Sequence, residues 1–165
     1  MFHRSVTIGA TLTLAFGALG VGVTPSGAAS GMHCTFSAAP ADLDPGISYT
    51  PSSGTFVDPG GGTVECKGAV NGTGAYTDNG TYRDATCQNG GAGEGDPTFT
   101  IGSQTLTDHV HITFGKQPST NGKGIIHGDF EGQKFKGTIE ITPTKGDCII
   151  NPVTQVKGVG EFTLK

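Results

Sequence analysis

Tryptophan is absent from this sequence of 165 residues, and aromatic residues make up only 7% of it. Charged residues contribute 15%, with no run of lysine or arginine, so a basic stripe able to track a phosphate backbone is excluded. After residue 30 no segment sustains an apolar period of 3.6 residues, which argues against helices with one buried face. The four cysteines contain no C-x-x-C pair, so a structural zinc knuckle has no anchor. A G-x-S-x-G elbow is also missing, which removes the serine-hydrolase motif. The acids are dispersed, and no spacing marks out a carboxylate pair of the kind that cleaves glycosides.

Glycine is what the chain has in excess, at 29 residues. Glycine weakens helices and serves tight turns, so this richness points to β structure. The clearest strand signals are LTDHVHITF at 106–114 and GIIHGDFEGQKFKGTIEIT at 124–142. From Lys134 onward polar and apolar residues alternate, as they do on a strand with one dry and one wet face. Val110, Ile112 and Phe114 share one parity, and His109, His111 and Thr113 the other. Asp108 falls on the apolar parity, so a regular strand is expected to start after it, or a bulge to sit there.

The first 29 residues read separately. Arg4 is the only formal charge of a short start, an uncharged run covers 6–23, and small residues follow up to Ala29. This is the layout of a secretory signal peptide, with cleavage expected after Ala29. Four glycines and three threonines make the run a poor membrane span. The expected organisation is therefore a signal peptide at 1–29 and one secreted domain at 30–165, free of the membrane once cleaved. Losing Arg4 and no acid moves the formal charge from −4 to −5. That surplus favours solubility and names no partner.

An exported domain with few large apolar residues needs help against conformational entropy. Phe36, Phe56, Phe99, Phe114, Phe130, Phe135, Phe162, Tyr49, Tyr76 and Tyr82 are its stock of large rings, and most are expected in the core. Cys34, Cys66, Cys87 and Cys148 are even in number and suit an oxidising compartment. Of three possible pairings, Cys34–Cys66 with Cys87–Cys148 is favoured, because neighbouring segments usually pair first.

About eight to ten short strands without a helix predict an all-β fold, an antiparallel barrel or a sandwich. Residues 40–46 and 89–97 read as breaks, the second as a flexible insertion resembling a single calcium nonapeptide with its aspartate displaced. Asn71-Gly72 and Asn79-Gly80 read as hairpin turns, which explains them better than their match to the glycosylation sequon. Residues 116–123 and the pair Glu131-Gly132 read as a further loop and turn.

The signal peptide, the four cysteines, the segment Thr50-Pro51-x-x-Gly54-Thr55-Phe56 and the late step Gly128-x-Phe130 together resemble a group of small exported β proteins of actinobacteria. That resemblance implies bacterial secretion and two disulfides. It implies no activity and no site residue.

The sharpest chemical feature is His109-Val110-His111. Residues two apart on a strand share a face, close enough to hold one metal ion. His127 and Asp129 share a parity on a nearby segment. An antiparallel pairing of the two segments would bring three imidazoles and a carboxylate together, a donor set for zinc or copper. The plainer alternative is a solvated face or a polar barrel interior. The leading expectation is a non-catalytic secreted protein that binds a small ligand, a surface or a protein. A zinc- or copper-binding protein and a barrel-type isomerase or cyclase with a polar interior are the alternatives.

Overall fold

A computed structural model describes residues 31–114, 122–130 and 133–164, with His127 and Asp129 described by backbone position alone. The signal segment 1–29, the turn Glu131-Gly132 and most of the loop at 116–123 lie outside the described residues. Thirteen strand segments are present: β1 (Met32–Ser37), β2 (Ala41–Ile47), β3 (Ser52–Val57), β4 (Gly62–Lys67), β5 (Gly72–Thr77), β6 (Asn79–Thr86), β7 (Gly90–Gly95), β8 (Thr98–Ile101), β9 (Gln104–Thr107), β10 (His109–Phe114), β11 (Gly122–Phe130), β12 (Gln133–Lys145) and β13 (Val153–Leu164).

Their pairing resolves into eight barrel strands. β1–β2, β3–β4, β5–β6, β7–β8 and β9–β10 are each one strand bent in the middle. Because neighbours run antiparallel, the first half of one strand pairs with the second half of the next: β1 with β4, β4 with β5, β5 with β8 and β8 with β9 on one side of the bends, and β2 with β3, β3 with β6, β6 with β7 and β7 with β10 on the other. β11, β12 and β13 follow, each antiparallel to its predecessor. β13 then meets both halves of the first strand, β2 through 153–156 and β1 through 159–164. The result is an up-and-down antiparallel barrel closed on itself through β12 and β13; among the described residues β9 alone is paired on one side only, with β8. This decides the expected barrel-or-sandwich choice for the barrel.

The bends fall in a belt around the barrel's waist, at 38–40, 58–61, Asp78, 96–97 and Asp108. Pro40, Pro59 and Pro97 lie in three of them, where a missing N–H interrupts the ladder. Asp58, Asp78, Asp96 and Asp108 lie in four. Backbone bonds carry the pairing through the belt: Ala38 to Gly158, Asp58 to Asp78, Asp96 to Asn79, and Asp108 to Pro97, each amide donating to the second residue's carbonyl at 2.8–3.1 Å. The irregularity expected at Asp108 is this bend.

Two apolar clusters fill the interior. The larger joins Met32, Phe36, Val64, Tyr76, Phe99, Phe135, Phe162 and Leu164 with Val110, Ile112, Ile126 and Ile139. Ring centroids in it lie 4.9 Å apart for Phe36–Tyr76, 5.2 Å for Tyr76–Phe99 and 5.3 Å for Phe99–Phe162, so these four rings form one contiguous stack. The smaller cluster, Leu43, Tyr82, Ala85, Cys148 and Val153, lies on the other side of the belt. Cys34–Cys66 bonds register partners of adjacent strands within the larger cluster. Cys87–Cys148 ties the β6–β7 turn to the β12–β13 connection, both at one end of the barrel. The favoured pairing is thus the observed one.

Three expected breaks are strand instead. Residues 41–47 form β2, because Ala41 and Leu43 point inward while Asp42 and Asp44 point out. Asn79-Gly80 opens β6 rather than turning a hairpin, whereas Asn71 does sit in a turn, its side chain bonded to Gly68. Residues 90–95 form β7, between β6 and β10, and are not a flexible insertion. Its glycines admit bulky neighbours: a Cβ on Gly95 would lie 2.5 Å from Asp78 Oδ1 and 3.0 Å from the Phe56 ring.

Candidate functional site

The barrel offers two constellations, one on each face of its wall. The outer one begins at β10. Val110 and Ile112 are buried, so His109 and His111 stand on the outside, their side chains 53% and 45% exposed. Their rings meet edge to face with centroids 5.0 Å apart. β11 pairs antiparallel with β10 as expected, and the register sets His127 opposite His111 and Asp129 opposite His109.

On the other flank β7 sets Glu94 opposite His111. Glu94, His109 and His111 each offer a donor atom within 4.8 Å of the other two. Glu94 Oε1 lies 3.5 Å from His111 Nδ1 and 2.9 Å from Arg83 Nη2, and His109 Nδ1 is bonded to Asp96 Oδ1 at 2.7 Å. The Asp96 hydrogen bond, followed by the neighbouring carboxylate charges, raises the His109 pKa above its ordinary value. The loop-like composition of residues 89–97 hides Glu94 and Asp96 in the sequence. Placing β7 beside β10 is what brings them in.

The inner constellation has no counterpart in that reading. A cavity of about 170 Å³ lies largely within the smaller cluster, walled by Leu43, Ile47, Phe56, Tyr82, Ile141 and Val156 among others. The Cys87–Cys148 bridge lines it too, as do Tyr76, Asp58 and Asp78 of the belt. Thr86 and the Tyr82 hydroxyl add to these groups, and the rest of the wall is apolar. Asp58 and Asp78 are only 5% and 7% exposed. Each has one oxygen accounted for: Asp58 Oδ1 accepts from the Gly60 amide at 2.8 Å, and Asp78 Oδ2 from the Tyr76 hydroxyl at 3.2 Å. Asp58 Oδ2 and Asp78 Oδ1 are buried with no hydrogen-bond partner among the described residues.

Such orphaned acceptors cost stability unless something satisfies them. Burial pushes the Asp78 carboxyl up to about 7; the hydrogen bonds of the Tyr76 hydroxyl and the Asn79 backbone amide oppose this, and the charges of Asp58 and Asp96 add to it. Burial first, and then the Asp78 charge, holds the Tyr76 phenol well above its usual range. The sequence signal for the pair was present but unreadable alone: two aspartates, each ending a strand-like stretch, in Val57-Asp58-Pro59 and Thr77-Asp78-Asn79.

The fold and cavity define a class, a closed eight-stranded antiparallel barrel with an apolar interior chamber and buried acids at its waist. Comparison with protein-family models, curated proteins and solved structures finds no match to this chain.

Proposed function

We propose that the protein is an exported, non-catalytic barrel that holds a small, mainly apolar ligand in its interior. The observation that carries this reading is the cavity itself, walled mostly by apolar side chains. Space of this size suits a single ring, since an aliphatic cavity of about 150 Å³ in a protein core takes up benzene. Two disulfides are consistent with an oxidising compartment, and no helix among the described residues is long and apolar enough to cross a membrane. Export itself rests on the signal-like start of the sequence.

Toluene is the test ligand. Burying its surface should give about 5 kcal/mol, a Kd on the order of 0.2 mM. Ligand-observed NMR on the oxidised protein should detect that binding, and Ala85→Leu, which fills the cavity, should remove it. Absence of binding to the wild type, or equal binding to Ala85→Leu, overturns the reading.

A second reading is favoured by one separate observation. A ligating histidine usually donates its other ring N–H to a carboxylate, which orients the ring. Asp96 stands in that relation to His109 Nδ1, leaving Nε2 for an ion shared with Glu94 and His111. Zinc or copper suits two imidazoles and a carboxylate. Metal content and calorimetry with zinc or copper, on the wild type and His111→Ala, decide it: the variant should lose at least about tenfold in affinity, in line with the loss of a ligand. Equal uptake by both proteins rejects the site.

The isomerase or cyclase reading asks for an imidazole facing the chamber. His109 and His111 stand outside it.

A further inference from the structure

We infer that the chamber selects a protonated amine: a compact apolar body carrying one ammonium group, seated against Asp58 and Asp78. This rests on the chamber being a ligand site and adds which chemistry the site accepts.

The argument starts from the orphaned oxygens. Asp58 Oδ2 and Asp78 Oδ1 are both buried and both belong to groups lining the same cavity. Elsewhere the belt leaves less unmet. Asp108 is also buried, and its Oδ1 accepts the His109 amide at 2.7 Å. Asp96 is exposed and bound to His109. The orphaned acceptors therefore occur only where the belt borders the chamber, among the described residues.

The second step is the missing counter-ion. The buried polar side chains among the described residues are Asp58, Asp78, Thr86 and Asp108, with no lysine or arginine among them. Two carboxyls lining one largely apolar space, with no lysine or arginine beside them, give that space negative potential and unmet acceptors when they are ionised. A neutral apolar guest would fill the volume and leave both oxygens unmet. An anion would be repelled. A guest with N–H donors and a positive charge answers both deficits, because an ammonium group has three donors and no acceptor.

The third step separates an organic cation from a bare ion. A hydrated or multiply coordinated metal needs oxygen ligands on several sides. Here the carboxyls are grouped at the belt, and most of the remaining wall is apolar, Leu43, Ile47, Phe56, Ile141, Val153 and Val156 among it, with Thr86 and Tyr82 adding neutral hydroxyls. Tyr76 completes the polar end. Its hydroxyl already donates to Asp78 Oδ2, which fixes the carboxyl and leaves Oδ1 for the guest.

The test compares three guests of one shape, toluene, benzyl alcohol and benzylamine, by calorimetry on the oxidised protein at pH 8, where the amine is protonated. Benzylamine should bind at least about tenfold more tightly than toluene, as a charge-assisted hydrogen bond in a dry site allows. Asp78→Asn and Asp58→Asn should each erase most of that advantage while toluene binding changes less than about threefold. Toluene binding is therefore also the check that each variant keeps its chamber. If toluene and benzylamine bind equally to the wild type, the amine preference is wrong and the chamber stands. If neither binds, both fall. An amine advantage that survives in both asparagine variants overturns the assignment of the acids.

Discussion

Reducing both disulfides is expected to abolish the cooperative thermal transition of this domain. Each bridge closes a long loop, 32 residues apart in sequence for Cys34–Cys66 and 61 for Cys87–Cys148. On loop-closure entropy alone these contribute about 4 kcal/mol each. A domain of this kind has only about 5–15 kcal/mol in total. Their places in the barrel make them hard to replace. Cys34 and Cys66 are 0% and 2% exposed, so their sulfurs are also core packing beside Met32 and Val64. Cys87–Cys148 joins elements that do not pair with one another, and it lines the chamber. Losing it should loosen that end before the other. The measurement is a circular dichroism melt with and without reductant, with thiol content read by mass spectrometry. Four free thiols in a protein that still melts cooperatively within a few degrees of the oxidised form would overturn this account of what holds the barrel.

The same comparison explains what could be read in advance. Strands announced themselves where side chains alternate. β12 was plain because Phe135, Ile139 and Ile141 interleave with lysine, threonine and glutamate. The cross-links followed from order along the chain. β7 was hidden because strand pairing is made by backbone, and four of its six residues are glycine. A glycine strand carries no inside-outside signal of its own; its place is set by what crowds it, here Phe56 and Asp78. Hence Glu94 was missed on the outer face, while His109 and His111, on a well-patterned strand, were found.

The waist was hidden for a different reason. Asp58-Pro59 and Asp96-Pro97 have the composition of loops, and a residue before proline is steered away from helix without being told to turn. Only closure of the barrel turns these points into a belt of bends and sets two of its aspartates in the wall of one largely apolar chamber.

That belt gives the second large effect. Asp78→Asn is expected to stabilise the protein at pH 8 and to have little such effect at pH 4.5. The folded carboxyl titrates near 7, against 3.8 for the free side chain. Between those values the folded state binds more protons than the unfolded chain. Stability therefore falls as pH rises from about 4 to about 7, and the ionised carboxyl remains a burden above that. Three pH units correspond to about 4 kcal/mol, an upper bound for one buried group. Asparagine cannot ionise, yet its amide oxygen can still accept from the Tyr76 hydroxyl. Its NH₂ group needs a partner that the carboxylate did not, at a cost of about 1–3 kcal/mol if unmet, so the net gain at pH 8 should be about 1–3 kcal/mol.

Other groups titrate nearby. His109 contributes the same sign, since its raised pKa gives stability that is lost as pH rises through it, but its exposure keeps that term small. Subtracting variant from wild type cancels it. Asp58 and Asp96 both push the Asp78 carboxyl up, so Asp58→Asn should shift the pH dependence of the wild-type stability toward lower pH. Urea unfolding at pH 4.5, 6 and 8 reads these differences directly. A stability difference between Asp78→Asn and wild type that is the same at all three pH values would mean that the carboxyl is not held in a dry, ion-free place, and the chemical case for a cationic guest would lose its foundation with it.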